Sequence, residues 1–107
     1  MLPKPGTPVR GSRTGRPIMA LLDLLGRRWT LRILWELRDG GAATFAELRD
    51  RCDAMSPSVL NLRIAELRDA GIVDHRDGGY RLTGEGKNLL ASLAPLTEWA
   101  RRWARRT

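Results

Sequence analysis

The sequence predicts a mainly α-helical domain with a small β-hairpin, and three observations carry that expectation. Apolar residues recur at helical spacing in several segments, among them Trp29, Ile33, Leu34 and Leu37, and again Leu60, Ile64 and Leu67. Two of the helical segments are separated only by Asp53-Ala54-Met55, a turn of a few residues. Between the fourth helical segment and the last lie two short strand-like runs with Asp77-Gly78-Gly79 between them, the residue types of a hairpin turn. At 107 residues the chain suits one domain with a modest core.

Each element has its own local signal. Residues 1–17 hold Pro3, Pro5, Pro8 and Pro17 with Gly6, Gly11 and Gly15. Such a stretch buries little, so it reads as a disordered basic tail ahead of a folded domain over residues 18–107. Pro17 suits the first position of a helix. Ile18, Met19, Leu21, Leu22, Leu24 and Leu25 make that helix apolar nearly all round, and Gly26 stops it. A second helix runs from about Trp29 to Arg38 and ends at Gly40 and Gly41. Thr44, with Glu47 three residues on, is a capping-box pattern that opens a third helix through about Arg51. Phe45, Leu48 and Cys52 are its inward residues. Ser56 as cap and Pro57 at the first helical position start a fourth helix, which runs to Ala70 and stops at Gly71. Residues 72–76 and 80–82 are the strands. Thr83 caps a last helix whose stripe is Leu89, Leu93, Leu96, Ala100 and Trp103, with Leu90 and Trp99 on its flanks and Pro95 kinking or dividing it.

Charge narrows the function classes. The net charge is +7, but of 19 basic residues four lie in residues 1–17 and four in residues 101–107, with no acid in either stretch. The middle then holds 11 basic against all 12 acidic residues. The basicity therefore belongs to the ends, where it either draws phosphate non-specifically or is merely solvated. One cysteine and one histidine, Cys52 and His75, supply no disulfide and no zinc ligand set, so neither metal nor cofactor is expected. There is no Gly-x-Ser-x-Gly elbow, phosphate loop or His–nucleophile pairing, which argues against an enzyme. No apolar run reaches membrane-spanning length and the N-terminus lacks a secretory signal, so a cytoplasmic, nucleoid-associated protein is expected.

The order helix, helix, turn, helix, hairpin, helix is that of a winged helix-turn-helix, whose second helix enters the major groove of double-stranded DNA. The stretch Ala20-Leu21-Leu22-Asp23-Leu24-Leu25-Gly26-Arg27-Arg28-Trp29-Thr30-Leu31-Arg32-Ile33-Leu34 resembles a segment of the HxlR-type (DUF24-type) regulators. So do Phe45-Ala46-Glu47-Leu48, Ser56-Pro57-Ser58-Val59-Leu60, Arg63-Ile64-Ala65-Glu66-Leu67, Gly71-Ile72-Val73 and Tyr80-Arg81-Leu82-Thr83 followed by Gly86. The resemblance covers roughly residues 18–100 and implies a dimeric, DNA-binding regulator of transcription, with repression the commoner outcome by analogy. Three departures stand out. Residues 11–16 lack the cysteine that serves some family members as a redox or electrophile sensor. The wing is several residues shorter than usual. Leu62 stands where the family commonly has a polar residue.

With Leu60, Ile64 and Leu67 inward, Ser58, Leu62, Ala65 and Asp69 fall on the opposite face of the fourth helix, with Asn61 on its edge. Ser58 and Asn61 can reach base edges or phosphates, Ala65 permits close approach, and Leu62 suits a thymine methyl or is simply an exposed leucine. Arg63 sits toward the core side and suits a phosphate or an internal carboxylate better than a base. Arg76 and Arg81 flank the wing turn, as phosphate ligands or as solvated charges; Arg49 and Arg51 are weaker candidates. The dimer interface is expected on the terminal helices, through Leu21, Leu22, Leu89, Leu93, Leu96, Trp99 and Trp103, because one small core cannot cover so much apolar surface. Cys52 reads as a small buried hydrophobe and His75 as a hairpin histidine. Trp29, Trp35, Trp99 and Trp103 read as core and dimer packing, although a subunit interface lined with tryptophan also suits a small aromatic effector. The rival readings are a ligand- or redox-responsive sensor on the same frame, and a winged-helix protein-interaction module that does not bind DNA.

Overall fold

A computed structural model describes residues 3–106. Met1, Leu2 and Thr107, at the outer ends of the expected tail and domain, lie outside the described residues. Among the described residues the chain forms α1 (Pro17–Leu25), α2 (Thr30–Glu36), α3 (Phe45–Arg51), α4 (Pro57–Asp69), β1 (Val73–Arg76), β2 (Gly79–Leu82), α5 (Gly84–Leu93) and α6 (Pro95–Arg106). This is a winged helix-turn-helix, mainly α with a two-stranded wing.

Local chemistry accounts for the boundaries. Thr44 and Glu47 complete a capping box: the Glu47 N–H donates to the Thr44 hydroxyl at 3.1 Å and the Thr44 N–H to the Glu47 carboxylate at 2.9 Å. These bonds hold the Glu47 carboxyl below its usual pKa. The Ser56 hydroxyl accepts from the Val59 N–H at 3.5 Å, and Pro57 opens α4. α2 is shorter than its apolar pattern suggests. Trp29, in the connection between α1 and α2, adopts a left-handed backbone, φ 78°, so the helix begins only at Thr30, and Leu37 already departs from helical geometry. Leu37 nevertheless belongs to the core, which gathers Leu24, Leu25, Ile33, Leu34, Leu48, Cys52, Met55, Leu60, Ile64, Leu67, Val73 and Leu82 from every element except α5 and α6. Phe45 is half-buried against this core.

The wing pairs Val73 with Leu82, His75 with Tyr80 and Arg76 with Gly79. Its turn is two residues, not the three expected: Asp77 and Gly78 have φ of 53° and 77°. A tight turn of this hand needs positive φ at both central positions, which aspartate tolerates and glycine favours, so Gly79 is released to pair in β2. Ala43 adds a bridge that the apolar pattern did not announce, its N–H and carbonyl bonding Tyr80 at 2.9 and 2.7 Å. It ties the α2–α3 connection to the wing.

Pro95 divides the last helix. α5 lays Leu89, Leu90 and Leu93 against the core, whereas α6 has no buried residue. The expected continuous stripe is thus broken at the helix boundary, and its two halves have different surroundings.

Residues 3–16, read from composition as disordered, form a turn-rich strap in the structure. Val9 and Ser12 exchange backbone hydrogen bonds at 2.9 and 3.0 Å, and the Gly6 N–H donates to the Gly15 carbonyl at 2.9 Å. Arg10 grips Asp23 of α1 through Nε at 2.6 Å, and its guanidinium holds that carboxyl below the usual range. Lys4 lies 3.8 Å from Asp69. The strap has no acid of its own; its partners come from α1 and α4, which composition alone does not reveal.

Candidate nucleic-acid interface

α3 and α4 are joined by a turn with two consecutive left-handed non-glycine residues, Asp53 at φ 59° and Ala54 at φ 54°. Arg49 stabilises this turn by donating Nε to the Met55 carbonyl at 2.8 Å, and Arg51 lies 3.4 Å from the Glu36 carbonyl. Both arginines thus have contacts within the protein. Arg32 reaches the same region, donating to Asp53 at 3.1 Å and to the Arg51 carbonyl at 2.6 Å.

The turn sets the direction of α4. Leu60, Ile64 and Leu67 are buried, and Ser58, Asn61, Leu62, Ala65 and Asp69 are exposed. At the helical repeat those five fall within an arc of about 100°. The Ser58 hydroxyl is 3.0 Å from that of Ser56, so the first turn of α4 carries two hydroxyls side by side. Leu62 is exposed. Arg63 is not part of this face: its side chain is 17% exposed, and it donates Nε to the Arg28 carbonyl at 2.8 Å and Nη1 to Glu66 at 2.9 Å. On the wing, Arg76 is exposed and lies 3.4 Å from Asp74, while the half-buried Arg81 reaches Asp77 at 3.4 Å. Ion pairs this long and this wet are weak.

The other candidates lie away from the exposed face of α4. Cys52 is fully buried, and burial raises its pKa above the ordinary thiol value, which disfavours the nucleophilic thiolate. His75 packs against Tyr80 across the hairpin with ring centroids 4.6 Å apart. Trp29 is half-buried against the core. Among the described residues there is no cluster of three metal-ligating side chains and no helix long and apolar enough to cross a membrane.

Exposed large apolar residues concentrate elsewhere. Ile18 and Leu22 on α1, Leu31 and Trp35 on α2, and Leu96, Trp99 and Trp103 on α6 are all about half exposed. Trp99 and Trp103 stack with centroids 5.9 Å apart, and the Arg38 guanidinium lies 4.0 Å from the Trp35 ring centre. A groove of about 960 Å³, lined by Leu22, Leu31, Trp35, Leu90 and Leu96 among others, runs between these elements. Of the interface residues expected from sequence, Leu21, Leu89 and Leu93 pack partly on the protomer's own core, whereas Leu22, Leu96, Trp99 and Trp103 do not. Leu31 was not among them, and Trp35, expected in core or dimer packing, is half exposed. Their signal was present: an apolar pair four residues apart, outside an inward stripe already filled by Ile33, Leu34 and Leu37.

Comparison with known proteins agrees with this architecture. The family described as HxlR-like helix-turn-helix matches residues 24–107. The chain is 29% identical over 96 residues to YybR of Bacillus subtilis, an uncharacterized HTH-type transcriptional regulator, with 82% of this chain and 75% of that protein aligned. It is 32% identical to Rv3095 of Mycobacterium tuberculosis, likewise an uncharacterized HTH-type transcriptional regulator; the match covers 79% of this chain but only 57% of that longer relative. The solved structure of quinone-bound YodB from B. subtilis superposes with a TM-score of 0.75 at 30% identity, over 80% of this chain and 97% of that one. The chain belongs to the HxlR-like helix-turn-helix family of transcriptional regulators.

Proposed function

We propose that the chain binds operator DNA as a homodimer and represses transcription by occupying the promoter. The observation that carries this reading is the exposed face of α4: a capped N-terminal turn presenting Ser58 and Asn61, with Ala65 small enough to let the helix approach the major groove. Asp69 repels phosphate, so the first half of α4 enters the groove. Arg76 and Arg81 reach phosphates beside it, since exchanging a weak surface ion pair for a phosphate costs little. The arginines of residues 101–106 add sequence-independent attraction.

The homodimer is supported by the apolar surface of α1, α2 and α6, which the described residues leave about half exposed. The groove is assigned to the partner protomer and not to a small aromatic effector, because Leu96, which lines it, shares one face of α6 with the exposed Trp99–Trp103 stack. The features that would make the chain respond to a quinone or to oxidation, as the names of the similar YodB and HypR structures suggest for those proteins, find no counterpart in the thiol of this sequence. The one thiol here is buried, and residues 11–16 contain no cysteine.

The test is Asn61→Ala on the duplex that the parent protein selects from a random pool. A bidentate contact to a base is worth about 1–3 kcal/mol, so affinity for that duplex should fall roughly 5- to 150-fold while the circular dichroism spectrum stays unchanged. Equal affinity of variant and parent removes Asn61 from the reading set.

A further inference from the structure

We infer that Arg63 is a positioning residue: with Glu66 and Arg27 it clamps α4 to the turn between α1 and α2 and thereby fixes where the reading face sits. The inference rests on α4 being the helix that reads DNA. Three observations carry it.

The first is the cluster itself. Arg63 and Arg27 donate to different oxygens of Glu66, so one carboxylate joins two guanidiniums. The three side chains are only 17%, 20% and 12% exposed for Arg63, Arg27 and Glu66. Arg63 spends its Nε on the Arg28 carbonyl at 2.8 Å. Charge-assisted bonds in a mostly dry setting are directional and strong.

The second is what the apolar stripe leaves undetermined. Leu60, Ile64 and Leu67 decide which side of α4 faces inward, but hydrophobic contact is non-directional. It tolerates small rotations and slides along the axis, where one residue of register is about 1.5 Å. Arg63 and Glu66, three residues apart on one flank, convert that tolerant contact into a fixed one.

The third is the anchor. The Arg28 carbonyl sits next to Trp29, whose left-handed backbone is costly for a bulky residue and persists only where its surroundings over-determine it. Trp29 is held by packing on the core, and the Thr30 N–H donates to the Arg27 carbonyl at 3.1 Å. The clamp therefore ends on a rigid turn. That turn connects α1 and α2, which carry the exposed Ile18, Leu22, Leu31 and Trp35, so the placement of α4 is referenced to elements assigned to dimer contact.

The experiment measures binding of the full chain to the selected duplex and to a random-sequence duplex over a series of salt concentrations. Arg63→Gln should weaken binding to the selected duplex at least tenfold, leave random-duplex binding within about twofold, and leave the salt slope unchanged. Equal loss on both duplexes, with the slope of log K on log salt falling by roughly 0.9, would make Arg63 a phosphate ligand and overturn the inference. Glu66→Gln separates the readings independently. It removes a negative charge, so electrostatics alone strengthens DNA binding, whereas loss of the clamp weakens binding to the selected duplex. Unchanged or tighter binding contradicts the clamp. Should Arg63→Gln fail to fold, Arg63→Lys retains the charge without the fork: a phosphate ligand keeps its binding, a positioning residue loses selectivity. A parent protein that prefers no duplex would refute the reading of α4 instead. The clamp is then read from amide exchange in the free protein, where Glu66→Gln should speed exchange at residues 27–30 and 59–64 but not in α5; no such change overturns it.

Discussion

Replacing Leu96 and Trp99 together with alanine is expected to convert the dimer to a monomer and to lower operator affinity by two orders of magnitude or more. Both side chains are over half exposed in the protomer, and α6 contributes nothing to the core. The substitutions therefore leave the fold of one chain nearly untouched. Burying a large apolar side chain contributes about 1.5–3 kcal/mol, and a twofold interface presents each residue twice. The loss is on the order of 6 kcal/mol, far more than a modest interface can spare. Operator affinity falls with it, because a single α4 reads only a few base pairs and two half-sites must be engaged together. Sedimentation of parent and variant, followed by titration of the selected duplex, checks both effects. A parent that already sediments as a monomer at tens of micromolar, a roughly chosen concentration at which a functional dimer should be populated, would contradict the dimer.

Gly86→Ala is expected to destabilise the domain by about 3 kcal/mol, the upper end for overpacking a closed site. Gly86 is buried, and a Cβ there would fall on the Ile72 carbonyl oxygen, deep inside contact distance. The obstacle is backbone that cannot swing away. The Ile72 carbonyl also accepts the Thr83 N–H at 2.9 Å, and the Thr83 hydroxyl caps α5 by accepting from the Gly86 N–H at 3.0 Å. Pushing Ile72 aside therefore strains the joint between wing and α5. For a domain of this size 1 kcal/mol is worth roughly 4–8 °C, so the thermal midpoint should drop by about 12–24 °C. Gly84→Ala is the control: the same helix turn, with nothing within 4 Å of its Cβ. It should change the midpoint by only a few degrees. Equal behaviour of the two variants would contradict the seating of α5 on Ile72.

What was legible in the sequence was what short-range chemistry decides. The Thr44–Glu47 box, the Ser56-Pro57 start, the Thr83 cap and the Pro95 division each depend on residues within a turn of one another, and each stands where the sequence places it. The inward faces of α3 and α4 were legible for the same reason, since period alone sets them. Features that depend on distant partners were not. Composition marks residues 3–16 as a tail because Asp23 and Asp69, their ion-pair partners, lie outside the segment. The Ala43–Tyr80 bridge joins positions 37 residues apart with no apolar pattern to announce it. Gly79 was read as turn because three consecutive turn-forming residues do not show which two will bend.

At the candidate site the polar face of α4 followed from helical geometry, and Arg63 was placed on its inner side with an internal carboxylate among its options. Which carboxylate, and that the Arg28 carbonyl shares the guanidinium, needs the fold, because Arg28 and Arg63 are 35 residues apart. The apolar surface shows the converse error. Leu89 and Leu93 look equivalent to Leu96 in sequence, yet the helix break leaves the first two on the core and the third outside it. In sequence Leu31 does not by itself mark an interface, and Trp35 could belong to core or interface, because an apolar residue off the inward stripe has meaning only once that stripe is seen to be satisfied.

The central claim is that two protomers read a near-palindromic operator through α4. Selection of bound duplexes from a random pool, with the protein-to-duplex ratio measured on the enriched sequence, tests it most directly. The expected result is an inverted repeat with half-site centres one or two helical turns apart, near 34 Å per turn, two protomers per duplex, and affinity well above that for random DNA. Enrichment of no sequence, with equal binding to every duplex, would contradict it.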